Sequence, residues 1–256
     1  KPIMKMLRRT FIIVAFNLLL ATTVFLVTGQ GQPASLSGTL SVLYGDAPTD
    51  MQIVYLLTDD FGNTHKIDVP AEVLAAAGGH FAVYGQRVTV ILNGGNAERI
   101  ATASSLMRLS PDGSNAIPAE SNWINILCKF SDVSGEPENL AYAAGLFGDS
   151  YPGLQHYWLE QSYDAHTVYG DAVGWFTLPN PRSYYVYEAI NGTNQFFSQM
   201  FDDCTAAADT SVDFSQYYGI NLWFNDELDG FAWGGGLSAT LDGTSKFWPS
   251  TWLPPW

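Results

Sequence analysis

Two cysteines in 256 residues, and 11 lysines and arginines against 25 aspartates and glutamates, set the first limits on this chain. Cys128 and Cys204 permit one disulfide without demanding it, and a cysteine-dense scaffold is excluded. The shortage of positive charge leaves a formal balance of −14. Four of the basic residues (Lys1, Lys5, Arg8 and Arg9) sit ahead of an apolar run, so the remainder is more acidic still. Such a surface repels nucleic acid and anionic lipid, and neither is expected as a partner. The sequence also lacks the His-Glu-x-x-His of a zinc helix, the Gly-x-Ser-x-Gly of a hydrolase elbow and a phosphate-binding glycine loop. No catalytic residue and no metal ligand is therefore assigned.

What is present is apolar and aromatic. Hydrophobic residues make up 47% and aromatics 14% of the chain, which excludes disorder and allows one large domain or two small ones. Lys5–Arg9 and the apolar Phe11–Val27 read as the basic and hydrophobic regions of a secretion signal. Val27-Thr28-Gly29 offers a cleavage position ahead of Gln30, so residues 1–29 are expected to be removed and the protein to be extracellular, with no membrane contact afterwards. The run is at the lower length limit for a membrane span, which leaves an uncleaved anchor as the alternative. The polar, Gly/Pro-rich flank favours export. Lys1-Pro2-Ile3 at the start and Trp252–Trp256 at the end lead us to expect a piece of a longer frame.

Residues 30–109 are expected to form a β-rich module. Gly38–Tyr44, Gln52–Leu57, Phe81–Tyr84, Gln86–Leu92 and Ile100–Leu109 read as strands, with turns at Gly45-Asp46 and Asp59–Asn63 and one short helix over Pro70–Ala77. A small barrel or sandwich follows, and an OB-like barrel is one candidate. Residues 110–121, with two prolines and several small polar residues, read as the linker. Residues 122–256 then alternate: strand Ile124–Phe130, helices Glu138–Phe147 and Gly153–Ala165, strand His166–Phe176, helix Thr193–Ala208, strand Gly219–Phe224 and a glycine-rich strand or hairpin, Phe231–Leu241. The class expected is α+β or α/β, with a sheet that could be mixed.

Several clusters could carry chemistry, and each has a plainer reading. His156 and Glu160 share a helix face with His166 and Asp164 beyond, but a solvated ion pair with Trp158 turned to the core explains them equally. Asn225–Gly230 could bind calcium through its oxygens, or be a polar turn at a strand end. Asp213, Asp226 and Asp229 could supply the paired carboxylates of a glycan-degrading enzyme, although nothing sets their separation. For Cys128 and Cys204, a disulfide and a buried thiol fit the apolar surroundings equally well.

Several blocks, in order, resemble secreted bacterial zinc metallopeptidases of the immune inhibitor A and gametolysin-like groups, within the metzincin class. They are Asn125–Asp132, Tyr151-Pro152-Gly153-Leu154, Tyr157-Trp158, Gln161-Ser162-Tyr163, Gly174–Pro179, Asp203–Asp209, Ala232-Trp233-Gly234-Gly235 and Trp252–Trp256. The resemblance implies an incomplete metzincin-like α/β half-domain over residues 122–256, truncated before the zinc-binding helix. In that family the helix would follow closely on a segment like Leu253–Trp256, and its zinc would activate water against a peptide bond. This chain supplies none of those ligands, so it is expected to be inactive alone, with peptides or proteins as the substrates of the longer protein. By the same resemblance Phe231, Ala232, Trp233, Gly234, Gly235 and Gly236 form the edge strand that would pair with an extended substrate. A non-catalytic exported binding or adhesion protein, suggested by the aromatic and acidic composition, is the rival expectation.

Overall fold

One long strand, β1 (Ala34–Ala47), belongs to two structures at once. It is buried on both faces from Leu40 to Leu43, and it pairs with different partners at its two ends. The computed structural model describes residues 34–47, 50–93, 101–109, 118–189 and 192–255. The expected signal, most of the expected linker (110–117), Ile100 and Trp256 lie outside these residues.

After β1 come β2 (Asp50–Asp59), β3 (Thr64–Asp68), helices α1 (Ala71–Ala76) and α2 (His80–Val83), β4 (Gln86–Asn93) and β5 (Ala101–Arg108). The strands run β2-β3-β5-β4-β1, and β1 pairs with β2 over Gly38–Ala47, which closes a five-stranded barrel. Only β3 and β5 are parallel among its ladders. Leu40, Val42, Leu57, Ile67, Val88 and Val90 fill the barrel, and Leu74 and Val83 on the two short helices plug it. The small barrel expected from the sequence is present. Two expected details differ. Phe81–Tyr84 is not a strand, because Gly78 and Gly79 take positive φ (99° and 86°) and turn the chain back into a helical turn. Phe81 is then 94% exposed while Val83 is buried, so the apolar run misled. Gly45-Asp46 is no turn but lies within β1.

The second part contains β6 (Glu120–Lys129), α3 (Leu140–Gly145), α4 (Leu154–Gln161), β7 (Thr167–Thr177), α5 (Arg182–Tyr185), β8 (Val186–Ala189), β9 (Gly192–Gln195), α6 (Phe197–Ala208), a 3-10 turn at Phe214–Gln216, β10 (Gly219–Phe224), β11 (Ala232–Leu241) and β12 (Thr244–Leu253). Strands β12, β10, β6 and β7 are parallel neighbours, and β11 pairs antiparallel with β12. The sheet is therefore mixed, and the arrangement is α+β overall. Because β1 also pairs with β11, barrel and mixed sheet form one ten-stranded sheet.

Alternation sorts the central strands onto two faces. Ile124, Ile126 and Cys128 of β6, Phe130 just after it, and Ile220, Leu222 and Phe224 of β10 share one core with α6. That helix presents Phe197, Met200, Phe201, Cys204 and Ala208 as one buried stripe. The helix begins at Phe197 rather than Thr193, since residues 192–195 pair with β8 instead. Trp233, Trp248 and Trp252 are fully enclosed in the same core, with Phe197 edge-on to Trp233 and Trp252. Cys128 and Cys204 are joined, Cα atoms 6.0 Å apart, fixing α6 to the sheet. The bond closes a sequence separation of 76, and loop-closure entropy puts its contribution at about 4 kcal/mol. Replacing both cysteines by alanine is expected to lower unfolding stability by ~2–4 kcal/mol in urea titration; an unchanged midpoint would refute this.

The β2–β3 turn is held by one carboxylate. Asp59 receives hydrogen bonds from His65 Nε2 (2.9 Å), from the Asn63 backbone and side chain and from Phe61 N. With His65 contributing most, these bonds hold the Asp59 carboxyl down at about 2. A depressed acid stabilises the fold fully above the ordinary carboxylate range, and the contribution disappears as pH falls through about 2. Asp59→Asn should melt below the native protein at pH 7, with the gap in Tm closing toward pH 2. A gap that persisted at low pH would show that packing, not charge, holds this turn.

Candidate functional site

The second face of the mixed sheet is only half covered. Helices α3 and α4 lie over β7 and the adjoining side of β6. Over β10 and β12 the same face opens into a cavity of about 820 Å³. Its floor is the outward set of three neighbouring strands: Ser121, Trp123 and Asn125 from β6, Asn221 and Trp223 from β10, and Pro249, Thr251 and Leu253 from β12. One wall is Leu146, Phe147, Pro152, Leu154 and Trp158 of the α3–α4 region, and the other is Phe81 and Tyr84 of the barrel. Among the described residues no Asp, Glu, Lys or Arg lines it. The protein is strongly acidic, yet this hollow carries no charged side chain.

A polar row crosses the floor. Asn125, Asn221 and Thr251 stand at matched register positions on adjacent strands. The Thr251 hydroxyl donates to Asn221 Oδ1 (2.8 Å), Asn221 Nδ2 donates to Asn125 Oδ1 (2.8 Å), and Asn125 Nδ2 donates to the Ala143 carbonyl on α3 (2.7 Å). The row ties the three strands to the helix layer. Beside it, the Trp223 Nε1 donor is buried without a partner among the described residues. At the far end His166 Nδ1 donates to the Pro118 carbonyl (2.6 Å), which leaves Nε2 to meet the Ser121 hydroxyl (3.2 Å). Trp123 Nε1 also donates to Ser121 Oγ (3.1 Å). Ser121 is 1% exposed and held on both sides, so it is a structural hydroxyl and not a presented nucleophile.

The clusters suggested by the sequence are not drawn together. His156 and Glu160 form an exposed pair at 3.7 Å, and His166 is committed to Ser121 and Pro118. Trp158 does not turn to a closed core; it lines the cavity and is 43% exposed. In the loop after β10, Asp226 accepts from Glu227 N, while Asp229 accepts from Phe231 N and Trp233 Nε1. Asn225 accepts from Phe130 N and donates to the Val133 and Gly135 carbonyls. Asp226 and Asp229 thus hold their own loop, and Asn225 ties it to the loop after β6. Asp213 caps the 3-10 turn through Ser215 N. Among the described residues no group of three or more His, Cys, Asp or Glu could hold a metal ion. No helix among them is long and apolar enough to cross a membrane.

Of the expected edge strand Phe231–Gly236, residues from Ala232 onward fall in β11, which lies inside the sheet between β1 and β12 rather than at its edge. Ala232, Trp233 and Gly234 are in register with Asp46, Gly45 and Tyr44 of β1. The Gly235 carbonyl accepts from the Tyr84 hydroxyl (2.8 Å). Beyond it, among the described residues, no strand pairs with the outer edge of β11.

Sequence reasoning missed the cavity and its polar row. The available signal was an asparagine in each of two apolar strands, at Asn125 in NWINIL and Asn221 in GINLWF. No protein-family model matches the chain, and no curated protein matches it. The polar row gives a direct test. Asn221→Leu strands Asn125 Oδ1 and the Thr251 hydroxyl, and should cost ~1–3 kcal/mol by urea unfolding. A neutral result would mean that water or rotation already satisfies both groups.

Proposed function

We propose that this chain is the amino-terminal part of a secreted zinc-dependent endopeptidase, acting on peptides or proteins. The observation that supports the reading most is the half-covered sheet. Parallel strands depend on having both faces covered, because their crossover connections place helices on each side. Here α6, together with Tyr185, Val186, Val212 and Phe214, covers one face, whereas the other is left open over β10 and β12, beside Thr251 and Leu253. An uncharged, aromatic hollow of this kind suits the apolar stripe of an amphipathic helix about 10 Å across. A helix supplied by sequence beyond Trp256 would reach it directly from β12, and could bear zinc ligands on its opposite face. The order α3, α4, α6 around a mixed sheet, bordered by a glycine-rich antiparallel strand, agrees with the half-domain implied by the resemblance. The described residues do not themselves fit a zinc ion, so no step of the reaction is assigned to them. The disulfide agrees with export, though weakly.

The exposed aromatic rim of the cavity favours one other reading. Phe81, Tyr157 and Trp158 lie at or beside its mouth, as they would in an exported protein that binds an uncharged apolar ligand. Expressing the coding frame as it continues beyond Trp256 separates the two. The endopeptidase reading expects a His-Glu-x-x-His helix there, stoichiometric zinc, and casein cleavage abolished by a chelator. The 256-residue chain alone should show neither zinc nor cleavage. A stop codon directly after Trp256, together with uptake of an uncharged naphthyl dye that Trp158→Ala weakens, would replace the endopeptidase with the binding protein.

A further inference from the structure

We infer that α5 and the outer side of α6 form a docking surface for an arginine-bearing segment of a partner protein or peptide. The surface lies on the face of the mixed sheet opposite the cavity, so it stands apart from whatever covers the cavity and from the endopeptidase reading. Tyr184 and Phe196 are 43% and 42% exposed, and Tyr187 is half-buried beside them. Their rings meet in series, Tyr187 to Phe196 at 4.7 Å and Tyr184 to Phe196 at 5.8 Å, tilted by 30° and 47°. Exposed rings scattered singly need no partner. Three in contact make a shelf, and its backbone is pinned: Phe196 N donates to the Tyr185 carbonyl (2.9 Å) and Tyr184 N to the Pro181 carbonyl (3.0 Å).

Charge selects the partner. Tyr184 is edge-on to the buried Tyr185 (5.1 Å), whose hydroxyl donates to Asp203 Oδ2 (2.6 Å), while Gln199 Nε2 donates to Oδ1 (2.9 Å). Phe196, Gln199 and Asp203 stand at helical spacing along one side of α6, with Asp202 exposed next to them. Neither carboxylate forms an ion pair among the described residues. The nearest basic residue in the sequence, Arg182, is turned to the Glu227 carbonyl and Asp226. Two carboxylates without a counter-charge thus border an aromatic shelf, in a chain whose formal charge is already −14. A guanidinium matches both parts, because its plane stacks on ring faces and its fork meets a carboxylate through two parallel bonds. An ammonium supplies the charge without the stacking plane. A neutral glycan would stack but leave the carboxylates unpaired, and anionic lipid is repelled by them.

Calorimetric titration of the protein with tetra-arginine and tetra-lysine peptides at low salt is the test. Tetra-arginine is expected to bind several-fold more tightly. Tyr184→Ala combined with Phe196→Ala changes no charge and should weaken it about tenfold. Since Phe196→Ala also removes a contact at the start of α6, Asp202→Asn is the second variant. It is exposed and isosteric, and should weaken binding about threefold. Asp164→Asn removes the same charge from the turn after α4 and should leave binding unchanged. Equal affinity of the native protein and the double-ring variant would overturn the proposal, as would equal weakening by Asp202→Asn and Asp164→Asn, because net charge alone would then hold the peptide. Binding of cellohexaose or of phosphatidylcholine vesicles that the double-ring variant loses, with tetra-arginine binding intact, would assign the shelf to a glycan or a membrane instead.

Discussion

Parallel strands in the middle of a sheet need cover on both faces, and most of this structure follows from how that need is met or left unmet. On one side β6 and β10 present isoleucines, leucine and phenylalanines to a helix whose buried stripe is continuous for its whole length. The Cys128–Cys204 bond and the Trp252 indole, which donates to the Phe197 carbonyl at 3.2 Å, tie that helix to two different strands. On the other side Trp123 and Asn125 of β6 and Asn221 and Trp223 of β10 alternate, and β12 presents Pro249, Thr251 and Leu253. The rings line a hollow, and the amides form a row that holds the strands to one another and to α3. A row of mutually satisfied side chains is compatible with an apolar cover, since it asks little of whatever lies above it.

The two halves of the chain are joined by backbone pairing and by side-chain packing, with Leu43, Val54 and Leu56 entering the core of the mixed sheet and Tyr84 lying on Phe247. A strand can serve two sheets only if it has two edges and enough length, and β1 has both. Its inner residues are divided accordingly: Leu40 and Val42 belong to the barrel core and Leu43 to the core of the mixed sheet. Barrel and sheet are thus coupled through a few residues of register, and a change at the β1–β11 ladder is felt in both.

Local chemistry made some elements legible in the sequence and tertiary chemistry hid others. The runs INILCKF and GINLWF, β-branched and bounded by turns, identified the central strands, and the spacing of Phe196, Phe197, Met200, Phe201 and Cys204 identified α6, although Phe196 proves to be its exposed N-cap. Pro249 hid β12. It lies in a strand, but no β10 residue is in register with it, because that ladder begins at Ser250. Phe81 hid α2, since an apolar residue after two glycines reads as a strand until the positive φ values are known. The disulfide stayed open because pairing depends on where α6 lies, which no spacing reveals. The cavity stayed hidden for a similar reason: Trp123 and Trp223 look like core residues, and only the missing cover makes them a surface.

The glycine run of β11 shows why composition is a poor guide to an open edge. A missing Cβ relieves the two faces of a sheet, whereas an edge is defined by backbone N–H and C=O groups lying in its plane. Gly235 and Gly236 have their faces filled, by Leu43 on one and by Phe247 and the Trp248 carbonyl on the other, so close packing accounts for both. Gly234 meets nothing within 4 Å on its face, yet its edge is the one in register with Tyr44. The glycine that looks most available is thus paired along its backbone. Along Ala232–Gly234 that backbone edge belongs to β1, and hence to the barrel of which β1 is a part.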